Sequence, residues 1–213
     1  MVKALILDLD GTLVESHEAH VKSYKGVFNS LGLKASHKDL KKHFGKIAED
    51  IIKEVFPQLT NKQVIEVVMA KRELFLQNLE AVYKKPCADS FISKASKNYF
   101  LAIATSASRE EMNALLKKFS WINYFKVLVT SYDVLKPKPA PDLLFRVAEL
   151  LKLEVNDCLF IGDSIYDALA AREAGMSFLG VETGSFSKND FKKEGFKSYR
   201  NLCTLSRSKF VFF

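Results

Sequence analysis

The sequence predicts an α/β protein: a parallel-sheet, Rossmann-like core with a small all-helical block inserted directly behind its first strand. Three observations carry this. Residues 2–7 are a short apolar run, broken only by Lys3, that stops at Asp8, Asp10 and Gly11. A run of that length ended by a turn signal suits a strand buried on both faces of a parallel sheet. From Tyr99 onward four more short apolar runs alternate with helical patterns, the order that a right-handed wound sheet requires. Between residues 15 and 82 apolar positions recur only at helical spacing. The expected division is therefore a discontinuous core, 1–14 with 83–213, around a helical block, 15–82.

The elements follow in order. Ser16 can cap a helix whose apolar positions Ala19, Tyr24, Val27, Phe28 and Leu31 recur every three or four residues until Gly32. Ser36 opens a short second helix, and Ile47, Ile51, Ile52, Val55 and Phe56 mark a third that Pro57 stops. Thr60 with Gln63 forms a capping box ahead of a long helix carrying Val64, Val67, Val68, Leu74 and Leu79. The strand run 99–104 ends in Thr105-Ser106-Ala107-Ser108, and Ser108 with Glu111 caps the helix of Met112, Leu115, Leu116 and Phe119. Residues 125–129 read as a strand, and the proline-rich stretch 136–142 as irregular until Pro141 starts a helix. Residues 158–161 form a strand ending in Gly162-Asp163-Ser164, followed by a helix that Gly175 terminates. The last core strand is 177–181. The apolar ending 209–213 reads equally as an edge strand, a packed tail or a dimer contact.

The composition narrows the class. At 213 residues with 48% hydrophobic and 27% charged content, the chain is an ordinary globular protein with a sizeable core. It has no apolar stretch of about 18 residues, so no membrane span is expected. Its first residues enter a strand directly, which leaves no place for a secretory leader. Cys87, Cys158 and Cys203 lack metal spacing and cannot all pair with one another, so they read as small core or surface residues of a cytoplasmic protein. The net charge of +7 is spread along helix faces rather than gathered with aromatics, and nucleic acid is not an expected partner.

In an open α/β sheet, the residues just after each strand meet at one rim, where ligands bind. Here these are Asp8 and Asp10, Thr105 and Ser106, Lys138, and Asp163 with Asp167. Each has an ordinary reading beside the functional one. Thr105 and Ser106 suit a turn, Lys138 a solvated surface, and Asp163 and Asp167 a helix start. The coincidence favours function, since four separate strand ends each supply a group that phosphate chemistry needs. Side chains alternate along a strand, so Asp8 and Asp10 face the same way, and two close carboxylates repel unless a cation such as Mg²⁺ offsets them.

Asp8-Leu9-Asp10-Gly11-Thr12, Thr105, Lys138 within 136–142, and Gly162-Asp163-Ser164-Ile165-Tyr166-Asp167 together resemble the four motifs of the haloacid dehalogenase superfamily. The branch resembled is the phosphatase one, with a helical cap after the first strand (phosphoglycolate phosphatase and β-phosphoglucomutase-like). The resemblance covers essentially the whole chain, in order. It implies Asp8 as nucleophile, forming an aspartyl-phosphate, and Asp10 as general acid and then base. It implies Mg²⁺ held by Asp8, the Asp10 carbonyl and Asp163, with Asp167 behind them. Lys138 and Thr105 would stabilise the phosphoryl group with backbone N–H groups near Leu9 and Asp10, and Ser106 would add a hydrogen bond. Lys136 competes with Lys138, which is favoured because the family's Lys-Pro-x-Pro-Asp wording begins there.

The helical block then reads as a lid that selects the substrate, with Ser16, His17, His20 and Lys46 as candidates to face it and His20 foremost. Glu15-Ser16 stands where relatives often carry Asp-Ser or Asp-Thr. The expected reaction is Mg²⁺-dependent hydrolysis of a small phosphorylated metabolite, phosphoglycolate-like or a sugar phosphate, by a monomer or homodimer. The alternative is a phosphomutase resembling β-phosphoglucomutase, which needs a cap arginine, and residues 15–82 contain only Arg72. Metal-free dehalogenation has no use for Asp163. A non-catalytic phosphate-binding regulator would not need Asp8, Asp10, Lys138 and Asp163 all intact.

Overall fold

The structure, a computed structural model, describes residues 1–208; the ending 209–213 lies outside the described residues. The chain order is β1 (Ala4–Leu7), β2 (Val14–Glu15), α1 (His17–Ser30), α2 (His37–Lys41), α3 (Ala48–Val55), α4 (Asn61–Gln77), β3 (Tyr83–Lys84) and α5 (Ala88–Ala95). It continues with β4 (Phe100–Thr105), α6 (Arg109–Lys118), β5 (Phe125–Thr130), α7 (Asp142–Leu151), β6 (Cys158–Gly162) and α8 (Ile165–Ala174). The last elements are β7 (Ser177–Val181), α9 (Lys188–Lys193), β8 (Ser198–Tyr199) and α10 (Leu202–Leu205).

Six strands form a parallel sheet in the order β5-β4-β1-β6-β7-β8. β1 sits at its centre, fully buried, and its alternation divides the interior. Leu5 and Leu7 face Phe91, Ile92, Leu115 and Leu116 of α5 and α6. Ala4 and Ile6 face Leu143, Leu144, Ala168 and Ala171 of α7 and α8. A third cluster lies wholly within residues 21–68, where Tyr24, Phe28, Ile52, Val64 and Val67 pack α1 to α4 on one another. The helical block thus has its own apolar centre, and Ala19 and Phe75 join it to the core beneath.

The five expected core strands and the capping boxes at Thr60 and Ser108 are present. Gly175 ends α8 in the left-handed conformation, with φ of 66°. Several features differ from the sequence reading. α5, β8, α9 and α10 are further elements; α5 buries Ala88, Phe91, Ile92 and Ala95 at helical spacing, whereas the short β8, α9 and α10 have no clear apolar period. Residues 14–15 and 83–84 are extended rather than helix-flanking coil, since β2 and β3 pair antiparallel as a ribbon linking block and core. Leu79 lies beyond the end of α4 in a separate turn. Ser16 precedes α1 without a side-chain cap bond, and its hydroxyl donates to Asp10.

The cysteines require a correction. Cys87, at the start of α5, and Cys203, in α10, form a disulfide 116 residues apart in sequence; only Cys158 is free and buried. Spacing did not disclose the pair, because the packing of α10 on α5 creates it. No helix among the described residues is long and apolar enough to cross a membrane.

Candidate active site

The rim at the carboxyl ends of β1, β4 and β6 gathers the expected residues. β1 releases Asp8, which is 6% exposed, while Leu9 turns into the core at 0%. Gly11 then reverses the chain with φ of +81°. It does so against Asp163, since a Cβ on Gly11 would lie 2.6 Å from Asp163 Cγ, and one on Gly184 would lie equally close. Both positions need glycine for this approach. Thr12 Oγ1 donates to Asp163 Oδ1 at 3.0 Å.

Lys138 reaches the same point from the loop before α7, 1% exposed, and the peptide bond that follows it, to Pro139, is cis. Its ammonium lies 2.9 Å from Asp8 Oδ1 and 2.6 Å from Asp167 Oδ1, and donates to the Ala104 carbonyl at 2.9 Å. Lys136 is exposed, and its backbone N–H donates to the carboxylate of Asp142, the first residue of α7. The lysine in the site is therefore Lys138. Asp167 also accepts from the Ser164 N–H and hydroxyl through Oδ2, so one residue starts α8 and steadies Lys138.

Asp8, Asp163 and Asp167 bring one oxygen each within 4.8 Å of the others. Burial raises Asp8 to about 7, with Asp167 and Asp10 adding to it and Lys138 opposing. Burial and the charges of Asp8 and Asp167 push Asp163 well above the usual carboxylate range. Lys138 goes up despite burial, because Asp167 and Asp8 outweigh it. Three buried carboxylates stand together and one ammonium pairs with two of them, so negative charge is in excess and a hard divalent cation fits the donor set.

Asp10 is held differently. Its Oδ1 accepts from the Ser16 hydroxyl and lies 3.2 Å from His20 Nε2. Burial would raise Asp10, but His20 and the hydrogen bonds from His20 and Ser16 bring it down to about 2. His20 stacks on Phe75 with centroids 4.1 Å apart, and His17 stacks on Phe44 at 5.0 Å. Burial lowers His17 to about 4, keeping it neutral.

Thr105, 1% exposed, accepts from the Ala107 N–H. The Ser106 hydroxyl, expected to add a hydrogen bond to the phosphoryl group, donates to the Gly45 carbonyl of the helical block at 2.7 Å. A cavity of about 60 Å³ opens onto Asp8, Asp10, Thr105 and Ser106 from the core and onto His17, His20 and Lys46 from the helical block. Tyr24, Phe44, Lys71, Glu111 and Tyr132 also line it, and the sequence reading missed these five. Lys71 had a signal. It falls on the apolar stripe of α4 with Val64, Val67, Val68 and Phe75, where a charged side chain needs a reason.

Comparison with known proteins agrees with this geometry. Residues 5–181 match the family described as haloacid dehalogenase-like hydrolase. The chain is 29% identical over 197 residues to the putative pyrophosphatase PpaX of Caldanaerobacter subterraneus subsp. tengcongensis, covering 91% of this chain and 87% of that one. It is 25% identical over 178 residues to the phosphoglycolate phosphatase of Aquifex aeolicus, covering 82% of each. The solved structure of a hydrolase from Pseudomonas syringae, 25% identical, superposes with a TM-score of 0.88 over 96% of each chain. With a family match across most of its length and a six-stranded parallel sheet carrying the acids at its rim, the chain belongs to the haloacid dehalogenase-like hydrolases and is an enzyme of their phosphatase kind, acting on phosphorylated small molecules.

Proposed function

We propose that the chain is a Mg²⁺-dependent phosphomonoester hydrolase that works through an aspartyl-phosphate on Asp8. The observation that carries this is the pairing of two unlike carboxylates on one cavity. Asp8 is gripped by Lys138 among further acids, and Asp10 by Ser16 and His20. An Asp8 oxygen attacks phosphorus and the bond to the leaving oxygen breaks, while Asp10 gives that oxygen its proton. Asp10 then takes a proton from water, which attacks phosphorus, releases phosphate and restores Asp8. At about 2 Asp10 is a carboxylate, the form needed for the second step. For the first, a phosphate dianion beside it opposes the pull of His20 and raises its proton affinity.

Lys138 neutralises Asp8 and the transferring group, and Thr105 stands beside them. Asp8, Asp163 and the Asp10 carbonyl would hold Mg²⁺, with Asp167 adjoining, and the ion would offset charge where a carboxylate meets a phosphate dianion. Residues 15–82 act as the lid and 1–14 with 83–213 as the core in this reading. A small substrate, phosphoglycolate-like or a sugar phosphate, agrees with the relative named phosphoglycolate phosphatase. Among the described residues no arginine lines the cavity, and Arg72 is paired with Glu110 at 3.5 Å, which favours hydrolysis over a phosphomutase. The protein acts in this proposal as a cytoplasmic monomer or homodimer.

The test is phosphate release from p-nitrophenyl phosphate and a metabolite panel, with Mg²⁺ or EDTA, on wild type and Asp8→Asn. Turnover should require Mg²⁺ and vanish in the variant. Full activity in folded Asp8→Asn would reject Asp8 as nucleophile.

A further inference from the structure

An ion pair beneath the helical block is not used by the chemistry above. Lys71 Nζ lies 2.7 Å from Glu111 Oε1, with side chains only 5% and 6% exposed. Lys71 comes from α4 in the helical block and Glu111 from the first turn of α6 in the core. We propose, resting on the assignment of Asp10 as general acid, that Glu111 is a positioning residue: through Lys71 and Phe75 it seats His20 against Asp10.

The contacts form one chain. Glu111 fixes the Lys71 ammonium, which lies 5.0 Å from the centroid of the Phe75 ring. Lys71 and Phe75 are four residues apart on α4 and so share a face. Phe75 is fully buried and carries the His20 ring on its face at an interplanar angle of 7°. His20 Nε2 in turn touches Asp10 Oδ1.

Glu111 is itself held from behind. Its Oε2 accepts the Ser108 N–H while Ser108 Oγ accepts the Glu111 N–H, so the capping box that starts α6 also fixes the counterion of Lys71. An ion pair this buried adds little to stability compared with apolar residues of like size. Its use is register. It admits one placement of α4 over the loop carrying Thr105 and Ser106, and the Ser106 hydrogen bond to Gly45 closes the same seam from the other side.

Glu111→Gln tests this, because glutamine can keep the bond from the Ser108 N–H while presenting Lys71 with an amide NH2 in place of a carboxylate oxygen. An alkyl ester needs its leaving oxygen protonated, whereas p-nitrophenolate leaves readily without help. In Glu111→Gln, the ratio of kcat/KM on β-glycerophosphate to kcat/KM on p-nitrophenyl phosphate should therefore fall roughly tenfold or more. Asp10→Asn must show the same split more strongly. Lys71→Met with Glu111→Gln should lose no more than Glu111→Gln alone, since both break one chain of contacts. That double variant leaves no unpaired buried charge and takes the same measurement if Glu111→Gln does not fold. Equal loss on both esters, or wild-type rates on both, would overturn the positioning role while Asp10→Asn still splits them. An Asp10→Asn variant without the split would overturn the acid assignment and the positioning role with it.

Discussion

Asp8→Asn is expected to make the metal-free protein more stable while removing its activity. Asp8 is raised from 3.8 to about 7, by burial first and then by Asp167 and Asp10, against the pull of Lys138. An acid with a higher pKa folded than unfolded binds its proton more tightly in the native state. Stability therefore falls as pH rises from about 4 to about 7, and the loss is complete above that. Roughly three units at about 1.4 kcal/mol each set an upper bound of about 4 kcal/mol at pH 8. For a chain of this size each kcal/mol moves Tm by about 2–4 °C, so the variant should melt up to about 16 °C higher. Asparagine has the shape of aspartate and none of its charge, so no cavity or clash offsets the gain.

Thermal unfolding of both proteins at pH 5 and pH 8, in EDTA and in saturating Mg²⁺, measures this. The gap in EDTA should be widest at pH 8 and shrink at pH 5, and Mg²⁺ should narrow it by stabilising wild type more. A variant that melts below wild type at pH 8 in EDTA, or a gap independent of pH, would refute the account of Asp8 as a carboxylate held against its solvation.

Gly184→Ala places a methyl group 2.6 Å from Asp163 Cγ. Because Asp163 is 4% exposed with little space to retreat, the variant should lose most of its Mg²⁺-dependent phosphatase activity, with Mg²⁺ affinity by calorimetry as the check. The disulfide should stabilise the fold by about 2–5 kcal/mol, so dithiothreitol should lower the Tm of wild type and leave Cys87→Ser unchanged.

The sequence by itself determined the sheet and its rim. Buried parallel strands are apolar runs with abrupt ends, so β1, β4, β5, β6 and β7 announce themselves, and polar residues directly after them fall on one edge by topology alone. Asp8, Asp10, Thr105, Lys138 and Asp163 were legible for that reason, whereas the short, part-exposed α9, β8 and α10 carry no such pattern. What only the tertiary structure decided depends on pairs far apart in the chain. Ser106 turns to Gly45 because the helical block descends on it, Cys87 meets Cys203 because α10 packs on α5, and Lys71 finds Glu111 across the seam. Strand ends are set by local chemistry. The facing of one surface on another is set by the packing of whole helices, which no spacing along the chain encodes.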